Sequence, residues 1–242
     1  MHDPTNAANT IRQHLARVVA LRNEAHQRGL AEAVHQVKQL QGLRFRGTYT
    51  DFLSQPRFAP ATRFFLDELY GEHDFSERDR QFARIAGALE RLFPPAVSAL
   101  AVDLTETHAL TELLDHEVSS HWLRLPDNTP HALRYVRSWR ATGQHDARQR
   151  QLMVVQHMGN ELQRLTRNAS LRMGLRMMRG PAQLAGLSAL QGFLESGFDA
   201  FATMRDASSF LSAIEEREQD WIETLFHAPE GVAAQALEAE WA

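Results

Sequence analysis

Helical spacing runs through this chain from end to end, strand signals are nearly absent, and 43% apolar with 23% charged residues is an ordinary globular balance. Together these predict an all-α fold, an irregular bundle of about eight to ten helices with no significant sheet. No internal repeat or low-complexity linker divides the chain. One helical domain over residues 1–242 is expected, with 1–60 a looser N-terminal helical hairpin plus an irregular segment.

Taken in order, Ile11, Leu15, Val18 and Val19 mark a first helix, which Gly29 can end as a left-handed cap. Leu30, Val34 and Val37 mark a second. Gly42 and Gly47, followed by Pro56 and Pro60, make residues 41–59 the most irregular stretch. A third helix spans 61–70. Ser76 and Asp79 form a variant capping box for the fourth, whose face carries Phe82, Ile85, Leu89 and Phe93. Pro95 opens a long fifth helix to about residue 125, and Pro130, after Asp127-Asn128-Thr129, opens a sixth that Gly143 ends. Residues 144–179 read as one very long helix, kinked near Gly159 or Gly174 and broken at Gly180-Pro181. Helices over 181–204 and 207–226 follow, with a short last one over 232–240.

Composition narrows the function. There is no cysteine, which removes disulfides, thiolate metal sites and thiol nucleophiles and suits a cytoplasmic setting. No apolar run is long enough for a membrane span, and the polar residues of 1–17 do not make a secretory signal. The net charge of −4 argues against dedicated nucleic-acid binding. Charge is uneven: residues 162–194 hold five arginines (Arg164, Arg167, Arg172, Arg176, Arg179) and no acid, while acids dominate from Glu195 onward. That basic stretch lacks interleaved aromatics for base stacking. Lys38 is the only lysine. Phosphate loops, HExxH and GxSxG are all missing, and Ser170 and Ser209 have no base context.

The run Phe64-Phe65-Leu66-Asp67-Glu68-Leu69-Tyr70 resembles the motif of the bacterial FFLEELY family, with Asp67 in place of the first glutamate. Gly71, Asp74-Phe75-Ser76, Met178-Arg179-Gly180-Pro181-Ala182 and Phe193-Leu194-Glu195-Ser196-Gly197-Phe198 carry the same likeness, from about Phe64 to Phe226. The resemblance implies an all-helical fold and brings no activity with it.

Two constellations carry candidate chemistry. His108, Glu112 and His116 stand at i, i+4, i+8 on the fifth helix, and His157 and Glu161 repeat that spacing on the long helix. Iron or haem would be the cofactor of such a helical-bundle enzyme, an oxidoreductase. On a helical wheel, however, these residues lie roughly 80° to 160° from the apolar centres of their helices, so a solvated face is expected and no cofactor is assigned. The second constellation is the set of polar residues on apolar faces. Thr107 and Thr111 sit mid-face on the fifth helix with Asp103, Asp115 and His121 at the flanks, and Glu218 interrupts Phe210, Leu211, Ile214, Trp221, Ile222 and Leu225. Arg176 stands in register with Val155, Met158, Leu162, Leu165, Ala169 and Met173, and Arg172 flanks it. Pairing of Arg172 or Arg176 with Glu218, or with Asp67 and Glu68, is expected, since an unpaired buried charge costs several kcal/mol. Met173, Met177 and Met178 are expected to fill core. The leading expectation is a non-catalytic helical protein that binds a partner protein or a small anionic or apolar ligand between helices. Catalytic residues, oligomeric state and helix order stay open.

Overall fold

A computed structural model describes residues 6–69, 71, 75–92, 95–204 and 206–242. Among them every regular element is helical: α1 (Ala7–Gln27), α2 (Ala31–Thr48), α3 (Thr50–Leu53), α4 (Ala59–Phe64) with a π-helical turn at Phe65–Leu69, α5 (Ser76–Leu92), α6 (Pro95–Trp122), α7 (His131–Ala141), α8 (His145–Thr166), α9 (Ala169–Met177), α10 (Arg179–Leu184), α11 (Ser188–Met204), α12 (Ser208–His227) and α13 (Glu230–Trp241). The segments outnumber the eight to ten expected because α3, α4 and α10 are only four to six residues long. No helix of the described residues is long and apolar enough to cross a membrane.

Helix α6 is the axis. It packs against α1, α2, α5, α7 and α8, so its circumference is covered. Two apolar cores share it. The first gathers Ile11 and Leu15 of α1, Phe45 and Phe52, Phe64 to Leu66, Phe82 of α5, Val102 and Leu104 of α6, Val155 and Met158 of α8, Phe193 and Phe201 of α11, and Phe210 to Ile214 of α12. The second gathers Val37 and Leu40 of α2, Val118 and Trp122 of α6, Tyr135 and Trp139 of α7, Leu225 of α12 and Leu237 of α13. Three helices, α2, α6 and α12, therefore pass from one core to the other, and α8 reaches their boundary from the first. Their residues at the crossing are polar: Gln41 and Arg44 on α2, the Thr105–His116 stretch of α6, Arg148 and Gln151 on α8, and Glu218 on α12.

Local chemistry explains where the elements stop. Gly29 and Gly143 take φ of 66° and 62° and end α1 and α7 as the sequence predicts. The irregular stretch over 41–59 is instead mostly helical, because α2 runs through Gly42 and Gly47 to Thr48. The very long helix over 144–179 is two helices. Asn168 accepts hydrogen bonds from the Ser170 and Leu171 amides at 3.0 and 3.3 Å, an N-cap that starts α9 afresh. Gly180-Pro181 lies inside α10 rather than between helices, and the break falls at Gly186, whose φ of 66° suits a residue without Cβ. The helix over 61–70 begins at Ala59 and ends in the π-turn, and Tyr70, Asp74, Phe93 and Pro94 lie outside the described residues.

The segments that carry the sequence resemblance pack on one another. Phe64 packs against Phe193 at a tilt, with ring centroids 5.3 Å apart. A Cβ on Gly197 would come within 2.7 Å of the Phe64 ring, so α11 approaches that ring as closely as a glycine permits.

Candidate functional site

Two cavities occupy the polar crossing. The larger, about 60 Å³ of space for water centres, is room for several waters. Its polar wall is Gln41, Arg44, Tyr49, Thr62, Arg148, Gln151 and Glu218, and its apolar wall includes Phe45, Phe65, Trp139, Val155, Phe210 and Ile222. The π-turn contributes Phe65 and Leu66, and such turns recur at functional sites.

Charge in this wall is organised by contact. Arg44 donates to Glu218 Oε1 at 2.6 Å, and the Tyr49 hydroxyl donates to the same oxygen at 2.7 Å. The Arg44 guanidinium also lies 3.8 Å from the Phe45 ring centre. Arg148 lies 3.7 Å over Trp139 and donates to Gln151 Oε1 at 3.5 Å. Both arginines are about 5% exposed. Gln151 Nε2 donates to Thr111 Oγ1 at 2.7 Å, and Thr111 donates to the Thr107 carbonyl. Gln41 Oε1 and Trp139 Nε1 are buried with no hydrogen-bond partner among the described residues.

The smaller cavity, about 10 Å³ and scarcely one water, is lined by Lys38, Gln41, Gly71, Phe75, His108, Thr111, Glu112 and Asp115. A charge network closes it. Glu112 Oε1 accepts from Lys38 Nζ and from Arg22 Nη2, each at 2.9 Å. Arg22 reaches on to Asp79 at 3.3 Å, and His108 Nε2 lies 2.9 Å from Asp79 Oδ2. Burial raises the Asp79 carboxyl, but His108, Arg78 and Arg22 outweigh it and hold the group below its ordinary value. Glu112 is lowered in the same way, Lys38 and Arg22 overcoming burial. Asp115 goes the other way. Fully buried, with Oδ1 unpartnered, it is pushed up to about 6 by desolvation despite Lys38 and Arg148 nearby. Burial also lowers His116 and pushes Tyr135 up to about 12.

A family model described as a domain of unknown function (DUF8198) matches residues 20–231. The chain belongs to that family. The matched DUF8198 span contains the whole wall of both cavities. Among the curated proteins and the solved structures, nothing matches the chain.

Within this DUF8198 chain the predicted residues separate into three groups. Glu218 lines the larger cavity and Thr111 the smaller, while Thr107 is buried with its hydroxyl unpartnered and His121 is half-buried at the far end of α6. Arg172 and Arg176 are not in the site. Their helix starts anew at Asn168 and leaves the core, so both pair with Asp199 at the surface, and Glu218 takes Arg44 instead. Ala169 and Met173 are exposed for the same reason, as are Met177 and Met178, so the methionine run fills no core. Asp67 meets Arg46 at 4.0 Å and Glu68 offers its carbonyl to Arg78, neither of them near Arg172.

The expected solvated face on α6 is also corrected. His108, Glu112 and His116 are all under 9% exposed, because α1, α2 and α5 cover that side and bring charges to meet them. His157 is exposed and 2.6 Å from Asp103, and Glu161 pairs with Arg164. No three of these five bring ligand atoms within 4.8 Å of one another.

Arg22, Lys38, Gln41, Arg44, Tyr49, Arg148 and Gln151 were not singled out from the sequence. The signal was present for several. Val37, Leu40, Gln41, Arg44 and Phe45 form one i, i+3, i+4, i+7, i+8 stripe, and Arg148, Gln151, Leu152 and Val155 form another. Reading α2 as ending before Gly42 hid the first.

Proposed function

We propose that this chain is a non-catalytic binding protein whose larger cavity takes a small ligand with an anionic head and an apolar body. The observation that carries this reading is the wall itself. Two buried guanidinium groups, Arg44 and Arg148, share the wall with one half-buried carboxylate, Glu218, and with the unpartnered Gln41 Oε1 and Trp139 Nε1, among aromatic and aliphatic side chains. Burying charge and unpaired polar atoms is costly, so a wall that keeps them is a wall suited to something polar. A carboxylate between Arg44 and Arg148 gains charge-assisted hydrogen bonds of about 1.5–3 kcal/mol each, and the rings receive the apolar body. The cavity favours a short ligand. No nucleophile with a positioned base supports a catalytic reading of this wall. A cytoplasmic setting and kinship with the FFLEELY proteins remain part of the proposal.

The test is a thermal-shift and calorimetric titration with hexanoate and phenylacetate, set against hexanamide and phenylacetamide. Acids that stabilise the protein while the amides do not are the expected result, with Arg148→Met removing the difference. Equal response to acid and amide, or none to either, overturns the reading.

The exposed Met173, Met177, Met178 and Leu184 on α9 and α10 favour a second reading, docking of a partner protein. Replacing Met173 and Met177 by serine separates the two, since it should weaken capture of a partner and leave the acid titration unchanged.

A further inference from the structure

A second, independent cluster lies outside both cavities, where α8 begins and α12 ends. His145 is the first residue of α8, and Glu223 and His227 stand at i, i+4 on α12. His145 Nε2 is 3.3 Å from Glu223 Oε1, and His227 Nδ1 is 3.0 Å from Glu223 Oε2. Among the described residues this is the one trio of histidine and carboxylate side chains whose ligand atoms all lie within 4.8 Å of one another. We propose that His145, Glu223 and His227 form a site for a divalent transition-metal ion of the zinc class, which clasps α8 to α12.

The chemistry fits the donors. Two imidazoles and one carboxylate at metal–ligand distances of about 2.0–2.2 Å place neighbouring donor atoms roughly 3.3–3.5 Å apart in a tetrahedron. The observed 3.3 and 3.0 Å run to the two different oxygens of Glu223, and one ligand atom from each residue falls within 4.8 Å of the others, so a rotation of the exposed His227 is needed to bring its nitrogen to the oxygen that faces His145. A hard ion such as magnesium or calcium would want more oxygen donors than this trio offers. One supporting group is present: Gln219 donates to Glu223 Oε1 at 3.2 Å. Phe226 packs edge-on against the His145 ring at 5.2 Å. Three protein donors leave a fourth position open to water, as expected at a surface.

The location gives the clasp a consequence. Arg148 is one turn beyond His145 on α8, and Glu218 and Ile222 precede Glu223 on α12, so the ion would tie together two helices that wall the larger cavity. The site does not depend on what that cavity binds.

The test uses the full chain stripped with a chelator and titrated with zinc ion against a chromophoric competitor, then with cobalt(II) while its visible spectrum is recorded. One tight equivalent, tetrahedral cobalt bands and a raised melting temperature are expected. The His145→Ala/His227→Ala double variant should bind about 10- to 100-fold more weakly and lose the cobalt bands, and acidification should release the ion because both imidazoles must be neutral to ligate. His227 is exposed and His145 half-buried, neither in an apolar core, so the variant keeps the fold, which circular dichroism checks. A double variant that takes up the same equivalent with unchanged affinity, or a native chain that takes up none, overturns the proposal.

Discussion

Replacing Asp115 by asparagine should stabilise the protein, and more so as pH rises. The wild-type carboxyl is pushed from 3.8 to about 6 by burial in the middle of α6. The folded state thus holds its proton more tightly than the unfolded chain does. Its stabilising contribution is fully present below pH 3.8 and is lost as pH rises through about 6. At about 1.4 kcal/mol per pH unit, the full penalty above that range is about 3 kcal/mol. Roughly half of it is already present at pH 5, so the advantage of the variant should grow by about 1 kcal/mol between pH 5 and pH 8. Asp79 and Glu112 have lowered values, so their contributions are lost as pH falls and would mask the effect in the wild-type profile alone. The difference between variant and wild type cancels them. It also separates the titration from any fixed cost of placing an amide beside Oδ1's unpartnered position. Urea unfolding at half-unit steps from pH 5 to pH 8 measures that difference. Two parallel profiles would refute the reasoning, whatever their vertical offset.

The ion pairs should divide sharply by burial. Glu218→Ala leaves Arg44, 5% exposed, without its carboxylate and should cost about 3–5 kcal/mol by urea unfolding, whereas Arg172→Ala/Arg176→Ala, which removes surface partners of Asp199, should cost less than about 1 kcal/mol. Comparable losses would mean that Arg44 and Glu218 are solvated. Gly197→Ala pushes a methyl group into the Phe64 ring from 2.7 Å and should lower stability by about 1–3 kcal/mol, with a melting temperature unchanged or raised counting against the close packing of α11 on that ring.

The legible part of this fold is the part that local chemistry decides. α1 and α7 end at glycines that adopt positive φ, and α12 and α13 fall within a few residues of their expected bounds. What the sequence did not disclose was decided by short-range capping against periodicity. The stripe through Val155, Met158, Leu162 and Leu165 continues in phase to Met173, yet Asn168 caps a new helix and turns that phase into solvent. Glu218 was legible because it breaks an apolar stripe; its partner Arg44 was not, because Gly42 looked like an end.

The polar residues of α6 show why a wheel drawn on one helix misplaces a site. His108 and Glu112 lie off the apolar centre and would be surface residues on a peripheral helix. α6 is not peripheral, and the question passes to the neighbours that cover it. Arg22 follows Leu21 in a stripe with Val18 and Ala25, Gln41 and Arg44 sit between Leu40 and Phe45, and Arg148 and Gln151 lead into Leu152 and Val155. Each neighbour thus carries polar groups on its inward face, where they cost most unless something polar opposes them. The polar midsection of α6, from Thr105 to His116, answers part of each face, Glu112 taking Arg22 and Lys38 and Thr111 taking Gln151, while Glu218 of α12 takes Arg44. The buried site is therefore encoded as matched anomalies on several helices, visible when their inward faces are compared and invisible on any one of them.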